Sequence, residues 1–146
     1  LFKPLVRFRI DFAKHCSVGP GKIDLLEAIQ RFGSLSQAAR TLKMSYRYAW
    51  LLLDNLNTSF REPMTTASVG GKGGGGVVLT PFGEQIIRAY REFERDLEQV
   101  AERHLAPLAD LPSKAAPKKP IRRKLARSSG GAQSARMRSA ATSGRN

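Results

Sequence analysis

The residues best equipped for chemistry stand together at Met44-Ser45-Tyr46-Arg47-Tyr48-Ala49-Trp50. An arginine grips guanine through two hydrogen bonds or holds a phosphate. Serine and tyrosine hydroxyls beside it mostly take phosphates. Such a set suits recognition of a nucleic acid and offers no nucleophile with a base beside it. Ser36 and Gln37 add neutral hydrogen-bonding groups, and Lys72 supplies a cation inside Gly70-Gly71-Lys72-Gly73-Gly74-Gly75-Gly76. That glycine run is not a nucleotide-binding loop. The nucleotide pattern needs Ser or Thr after the lysine and a helix after the loop. Here Gly73 follows the lysine, and the β-prone Val77-Val78-Leu79 follows the loop. His15 and Cys16 are neighbours, while His104 is far away. One cysteine and that spacing give neither a metal site nor a disulfide framework. No catalytic set emerges, so the expectation is a non-enzyme without a cofactor.

These residues need elements to position them. Val6, Phe8, Ile10 and Phe12 alternate with Arg7, Arg9 and Asp11, which predicts a half-buried strand over residues 5–12. Residues 17–21 read as a loop. Leu25, Leu26, Ile29 and Phe32 predict a helix over residues 22–32, with Gly33 as its left-handed stop. Ser34 and Gln37 form a capping box for a short second helix whose apolar face is Leu35, Ala38, Ala39 and Leu42. Ser45 caps a third helix, expected to turn Ala49, Trp50, Leu53 and Leu56 inward and to end between Asn57 and Phe60, before Pro63. Residues 65–69 and 77–79 are short β-prone runs joined by the glycine segment, and so predict a hairpin. Thr80 caps a fourth helix with Pro81 at its first position, running over about residues 80–105. Along it Ile86, Tyr90, Phe93, Leu97, Val100 and His104 recur at spacings of four and three, a heptad seam suited to a second copy of the chain.

The fold class expected is therefore mainly α with a small β-hairpin wing: a winged helix-turn-helix with a long C-terminal dimerisation helix. The second helix of the pair presents its N-terminal residues to the major groove of DNA. Two-fold pairing of the long helices sets two such helices about 34 Å apart and implies an inverted-repeat site.

Charge supports a polyanionic partner. The 146 residues carry 25 Lys and Arg against 12 Asp and Glu, a net charge of +13. Residues 113–146 hold ten of the basic side chains and none of the acidic ones, leaving +3 on residues 1–112. The last segment has no aromatic residue and is mostly Ala, Ser, Gly and Pro, so it is expected to be a disordered basic tail behind a folded domain of residues 1–112. No apolar run approaches the roughly 18 residues of a membrane span. A cytoplasmic, nucleoid-associated protein without a membrane partner is expected.

Leu35-Ser36-Gln37-Ala38-Ala39, residues 44–50, Asn55-Leu56-Asn57 and the run from Gly70 to Thr80 resemble the N-terminal domain of the bacterial ModE-type molybdate-responsive regulators, and more broadly the LysR-type winged helix. The resemblance covers about residues 20–105. It implies a homodimeric transcription factor, paired through the helix after the wing, whose recognition helix begins at Ser45, Tyr46 and Arg47. Full-length members sense molybdate in a C-terminal β-rich domain that has no counterpart here. DNA binding without molybdate sensing is thus expected of this polypeptide. A second reading is an architectural, nucleoid-type protein with little sequence preference, in which the basic tail dominates; the ratio of specific to non-specific affinity at fixed salt separates the two.

Overall fold

A computed structural model describes residues 3–69 and 76–108. Lys72, the rest of the glycine run up to Gly75, and the basic segment 113–146 lie outside the described residues. The order is β1 (Ile10–Ala13), β2 (Cys16–Val18), α1 (Pro20–Phe32), α2 (Leu35–Thr41), α3 (Tyr46–Ser59), β3 (Thr65–Ser68), β4 (Gly76–Leu79) and α4 (Pro81–Leu105), closed by a 3-10 turn at Ala106–Leu108. The described chain is mostly helical, with two separate antiparallel strand pairs, β1 with β2 and β3 with β4.

The core is built where α1, α2 and α3 meet. Ile23, Leu25, Leu26, Ile29 and Leu56 are fully buried in it, and Ala38, Ala39 and Ala49 let α2 and α3 approach closely. Gly33 ends α1 in the left-handed conformation (φ 63°), its N–H bonded to the Ile29 carbonyl at 2.8 Å. The Ser34 hydroxyl then accepts from the Gln37 N–H at 3.3 Å and starts α2. Val77 N–H donates to the Gly33 carbonyl at 3.1 Å, so the same turn anchors β4.

The N-terminal segment differs from its reading as one strand. Pairing is confined to Ile10–Ala13, opposite Cys16–Val18, of which Ser17 and Val18 had read as loop. The register slips between Asp11 and Ala13, and an irregularity of that kind breaks the alternation. Val6, Phe8 and Ile10 still face inward, whereas Phe12 turns out. Ahead of β1 the chain lies on α4 instead of on a partner strand: Phe8 stacks on Tyr90 with ring centres 4.5 Å apart and meets Phe93 edge-on at 5.2 Å. Pro20, also read as loop, opens α1, where a missing N–H costs nothing.

That contact revises the heptad seam. Tyr90 is 3 % exposed, and its hydroxyl donates to the Phe8 carbonyl at 2.8 Å. Burial pushes its pKa up, so it stays a donor. Ile86 packs against the core, and Ile87, outside the expected seam, is buried. Phe93 (44 %) and Val100 (39 %) remain exposed, His104 is exposed, and Leu97 is half-buried. Arg91 fastens the same part of α4 to α1. It bonds Glu27 through two contacts of 2.8 Å, Asp24 at 2.9 Å and Glu94 at 2.8 Å. Those carboxylates, Glu27 foremost, raise its pKa above the usual arginine value.

A second network ties the β1–β2 hairpin to α3. Lys22 Nζ donates to the Ser17 carbonyl at 2.6 Å and to Asn55 Oδ1, while Asn55 Nδ2 and Ser59 Oγ donate to the His15 carbonyl at 3.2 and 3.1 Å. Burial, then the nearby Arg9, lowers the Lys22 pKa.

The β3–β4 hairpin is held at Met64, which is fully buried. Asn57 Oδ1 accepts from the N–H groups of Met64 and Thr65 at 2.9 and 3.0 Å. Thr80 N–H donates to the Met64 carbonyl at 3.0 Å. A Cβ on Gly83 would stand 2.2 Å from that carbonyl oxygen, so only glycine lets α4 start here. Gly83→Ala is expected to destabilise the fold by more than about 2 kcal/mol in urea unfolding, because backbone must move. Gly21→Ala, where an added Cβ meets nothing within 4 Å, should leave stability unchanged or raise it by up to about 1 kcal/mol. Equal effects at the two sites would refute the close approach.

Candidate nucleic-acid interface

The turn between α2 and α3 is short and fully bonded. Leu42 N–H donates to Ala38, Lys43 N–H to Arg40 and Met44 N–H to Ala39, at 3.0, 3.1 and 3.0 Å. Lys43 adopts φ 54°, a left-handed conformation that a non-glycine residue enters only at a cost. Ser45 then caps α3, its hydroxyl accepting from the Tyr48 N–H at 3.1 Å. The cap fixes where α3 begins, and hence which side chains occupy its first turn.

Tyr46, Arg47 and Tyr48 are all exposed there, as are Ser36 and Gln37 on α2. The structure brings Ser36 and Tyr46 onto one cleft. Lys72, the remaining residue expected to touch DNA, lies outside the described residues. Ser45 and Gln37 have a local task as well, since both serve in helix caps through Ser45 Oγ and the Gln37 backbone N–H.

Trp50 is a correction. It was expected in the core but is 49 % exposed, on the wall of the cleft that Tyr46 also lines. The helical period explains this. Ala49, Leu53 and Leu56 define the inward direction, and Trp50 lies about 90° away from their mean at 3.6 residues per turn. Hydrophobicity suggested burial, whereas the angle alone would have placed the ring at the boundary. Leu51, also half-exposed, follows one position on.

Charge is distributed unevenly around this surface. From α2 to the middle of α3 the charged residues are Arg40, Lys43 and Arg47, with Asp54 the first acidic one, and residues 63–83 contain no acidic residue. On α4, by contrast, Glu84, Glu92, Glu94, Asp96, Glu98 and Glu102 outnumber Arg88, Arg91, Arg95 and Arg103. The α2–α3 side is therefore the side an anion approaches with least repulsion. Among the described residues no three His, Cys, Asp or Glu side chains gather as a metal site, and no helix is long and apolar enough to cross a membrane.

Trp50 is the only tryptophan, so its emission reports on this cleft. In the folded, free chain it should be red-shifted and readily quenched by acrylamide. A blue-shifted, quencher-resistant emission would mean that the ring is buried after all.

No family model matches the chain. Curated relatives do. The molybdenum transport protein ModE of Azotobacter vinelandii is 36 % identical over 103 residues, which is 68 % of this chain and 38 % of that protein. The molybdenum-pterin-binding protein MopB of Rhodobacter capsulatus is 47 % identical over 77 residues, 53 % of this chain and 28 % of that one. The DNA-binding transcriptional dual regulator ModE of Escherichia coli K12 is 39 % identical over 71 residues, 49 % and 27 % of the two chains. The chain thus spans less than two fifths of the length of these relatives. Over the matched stretch it is a ModE-type-regulator-like protein.

Proposed function

We propose that this chain is a DNA-binding transcriptional regulator of winged-helix form. The observation that carries the reading is the exposed first turn of α3, with Arg47 between two tyrosines and Arg40 and Lys43 exposed just ahead of it. Under this reading α3 enters the major groove. Arg47 reads a guanine, and Ser45, Tyr46, Tyr48, Ser36 and Gln37 fix the register on phosphates. Lys72 on the wing reaches a neighbouring backbone or the minor groove. The name of the E. coli relative, a DNA-binding transcriptional regulator, supports this assignment. Recognition in this mode needs no cofactor. The basic residues of 113–146 add affinity without sequence preference through counterion release. Such a protein works in the cytoplasm, on the nucleoid.

The reading includes a homodimer on an inverted repeat. α4 is 25 residues long, about 37 Å at 1.5 Å per residue, more than the core can cover. Phe93, Leu97, Val100 and His104 follow one another along its outer half at heptad spacing, and a second α4 is the natural cover for them. Ile86 and Tyr90 contribute from inside, by holding that helix to its own domain.

Arg47→Ala should weaken binding to a selected duplex by roughly 1–3 kcal/mol and relax preference at one base position, with random-sequence binding much less affected. Identical affinities of variant and wild type for both duplexes would remove Arg47 from recognition. Leu97→Glu should shift the chain towards monomer in sedimentation at micromolar concentration, with its helix content retained. A wild-type chain that sediments as a monomer both free and on DNA would dispose of the dimer.

A further inference from the structure

Trp50 has no part in the contacts above, yet it exposes half of the largest apolar side chain to solvent. It faces a cleft of about 390 Å³ between α2, α3 and the β3–β4 hairpin. Tyr46, one turn earlier, lines the same cleft, with Ser34, Ser36 and Thr66 around it. Asn57 and Thr65 lie there too, but they are engaged with each other at 2.9 Å. Ser34 Oγ already accepts from the Gln37 N–H, so Ser36, Tyr46, Trp50 and Thr66 supply the cleft's remaining neutral polar groups. Asp54, one turn beyond Trp50, is not among the lining residues.

The chemistry of the occupant follows from that lining. A small oxyanion needs several charged donors closed around it, and this cleft is open with an uncharged lining. An apolar peptide would leave the hydroxyls unpaired. A sugar–phosphate strand matches both parts: deoxyribose offers an apolar face to the rings, and phosphate oxygens accept from indole N–H, phenol and hydroxyl groups. Arg40, Lys43 and Arg47, exposed on α2, the turn and the start of α3, favour such a polyanion.

We infer that this cleft seats one backbone strand of duplex DNA, with Trp50 and Tyr46 packed against its sugars. The inference rests on the DNA-binding reading and adds a role to it. Trp50 is a positioning residue that contacts sugar and phosphate, so it contributes affinity without base preference.

The test uses the full chain, a duplex selected from a random pool and a random-sequence duplex, with binding followed by anisotropy of labelled DNA. On saturation with either duplex, Trp50 should become shielded from acrylamide. Binding that leaves its quenching as in the free chain overturns the inference and leaves the DNA reading intact. Failure of both duplexes to bind at low salt overturns both. Trp50→Ala should weaken the two duplexes by the same factor, about ten-fold for a lost aromatic contact, with the specificity ratio unchanged. A fall in that ratio would make Trp50 a base reader and refute the backbone role. Unchanged affinity in a variant with wild-type circular dichroism would refute any contact. Should Trp50→Ala fail to fold, the quenching measurement on the wild-type chain decides alone.

Discussion

The backbone of Met64 is the joint on which this small fold turns. Its N–H is taken by Asn57 of α3, and its carbonyl by the N–H of Thr80, at the entry to α4. Its side chain is wholly buried, and Gly83 passes so close to its carbonyl that no side chain fits between. Three elements are thereby fixed at one residue: the end of α3, the start of β3 and the start of α4. A buried backbone group without a partner costs about as much as a lost hydrogen bond. Each of these partners is therefore a condition on the others, and the angle between hairpin and α3 is not free to drift. The cleft lined by Tyr46 and Trp50 takes its width from that angle.

The other end of the molecule depends on α4. Arg91 is held by carboxylates from both α1 and α4, and Tyr90 is covered by Phe8 and bonded to its carbonyl. These contacts sit midway along the helix. N-terminal to them, Gly83 and Ile87 belong to the core; C-terminal to them, apolar residues such as Phe93 and Val100 meet solvent. One helix is thus both a wall of the domain and an extension from it. Contacts with α1 end at Arg91, while the N-terminal arm follows α4 further, with Phe8 against Phe93 and Lys3 and Pro4 lining a cleft with Glu98 and Glu102.

Charge follows the same division. Acidic residues collect on α4 and on the α1 face that meets it, where Arg91 neutralises part of them. From α2 to the middle of α3 the charged residues are the basic Arg40, Lys43 and Arg47, before Asp54. Fields between exposed charges of this kind are weakened by salt over a Debye length of about 8–10 Å.

Much of this was legible in the residues. Local signals with a local cause held: Gly33 as a left-handed stop, Ser34, Ser45 and Thr80 as caps, Pro81 at a first helical position, and the two β-prone runs around the glycines. Each depends on hydrogen bonds or φ values within a few residues, so no distant partner is needed to decide it. The start of α3 at Ser45 was legible for the same reason, since a cap names the turn that follows it. What the residues left undecided depends on partners far away in the chain. Only tertiary contact with α4 makes the segment before β1 an arm instead of a strand, buries Tyr90 beneath Phe8 and brings Ile87 inside. Trp50 belongs here too. The helical period set by Ala49, Leu53 and Leu56 puts it at the edge of the buried face, and where α2 and the hairpin stop decides that the ring is left half-exposed there.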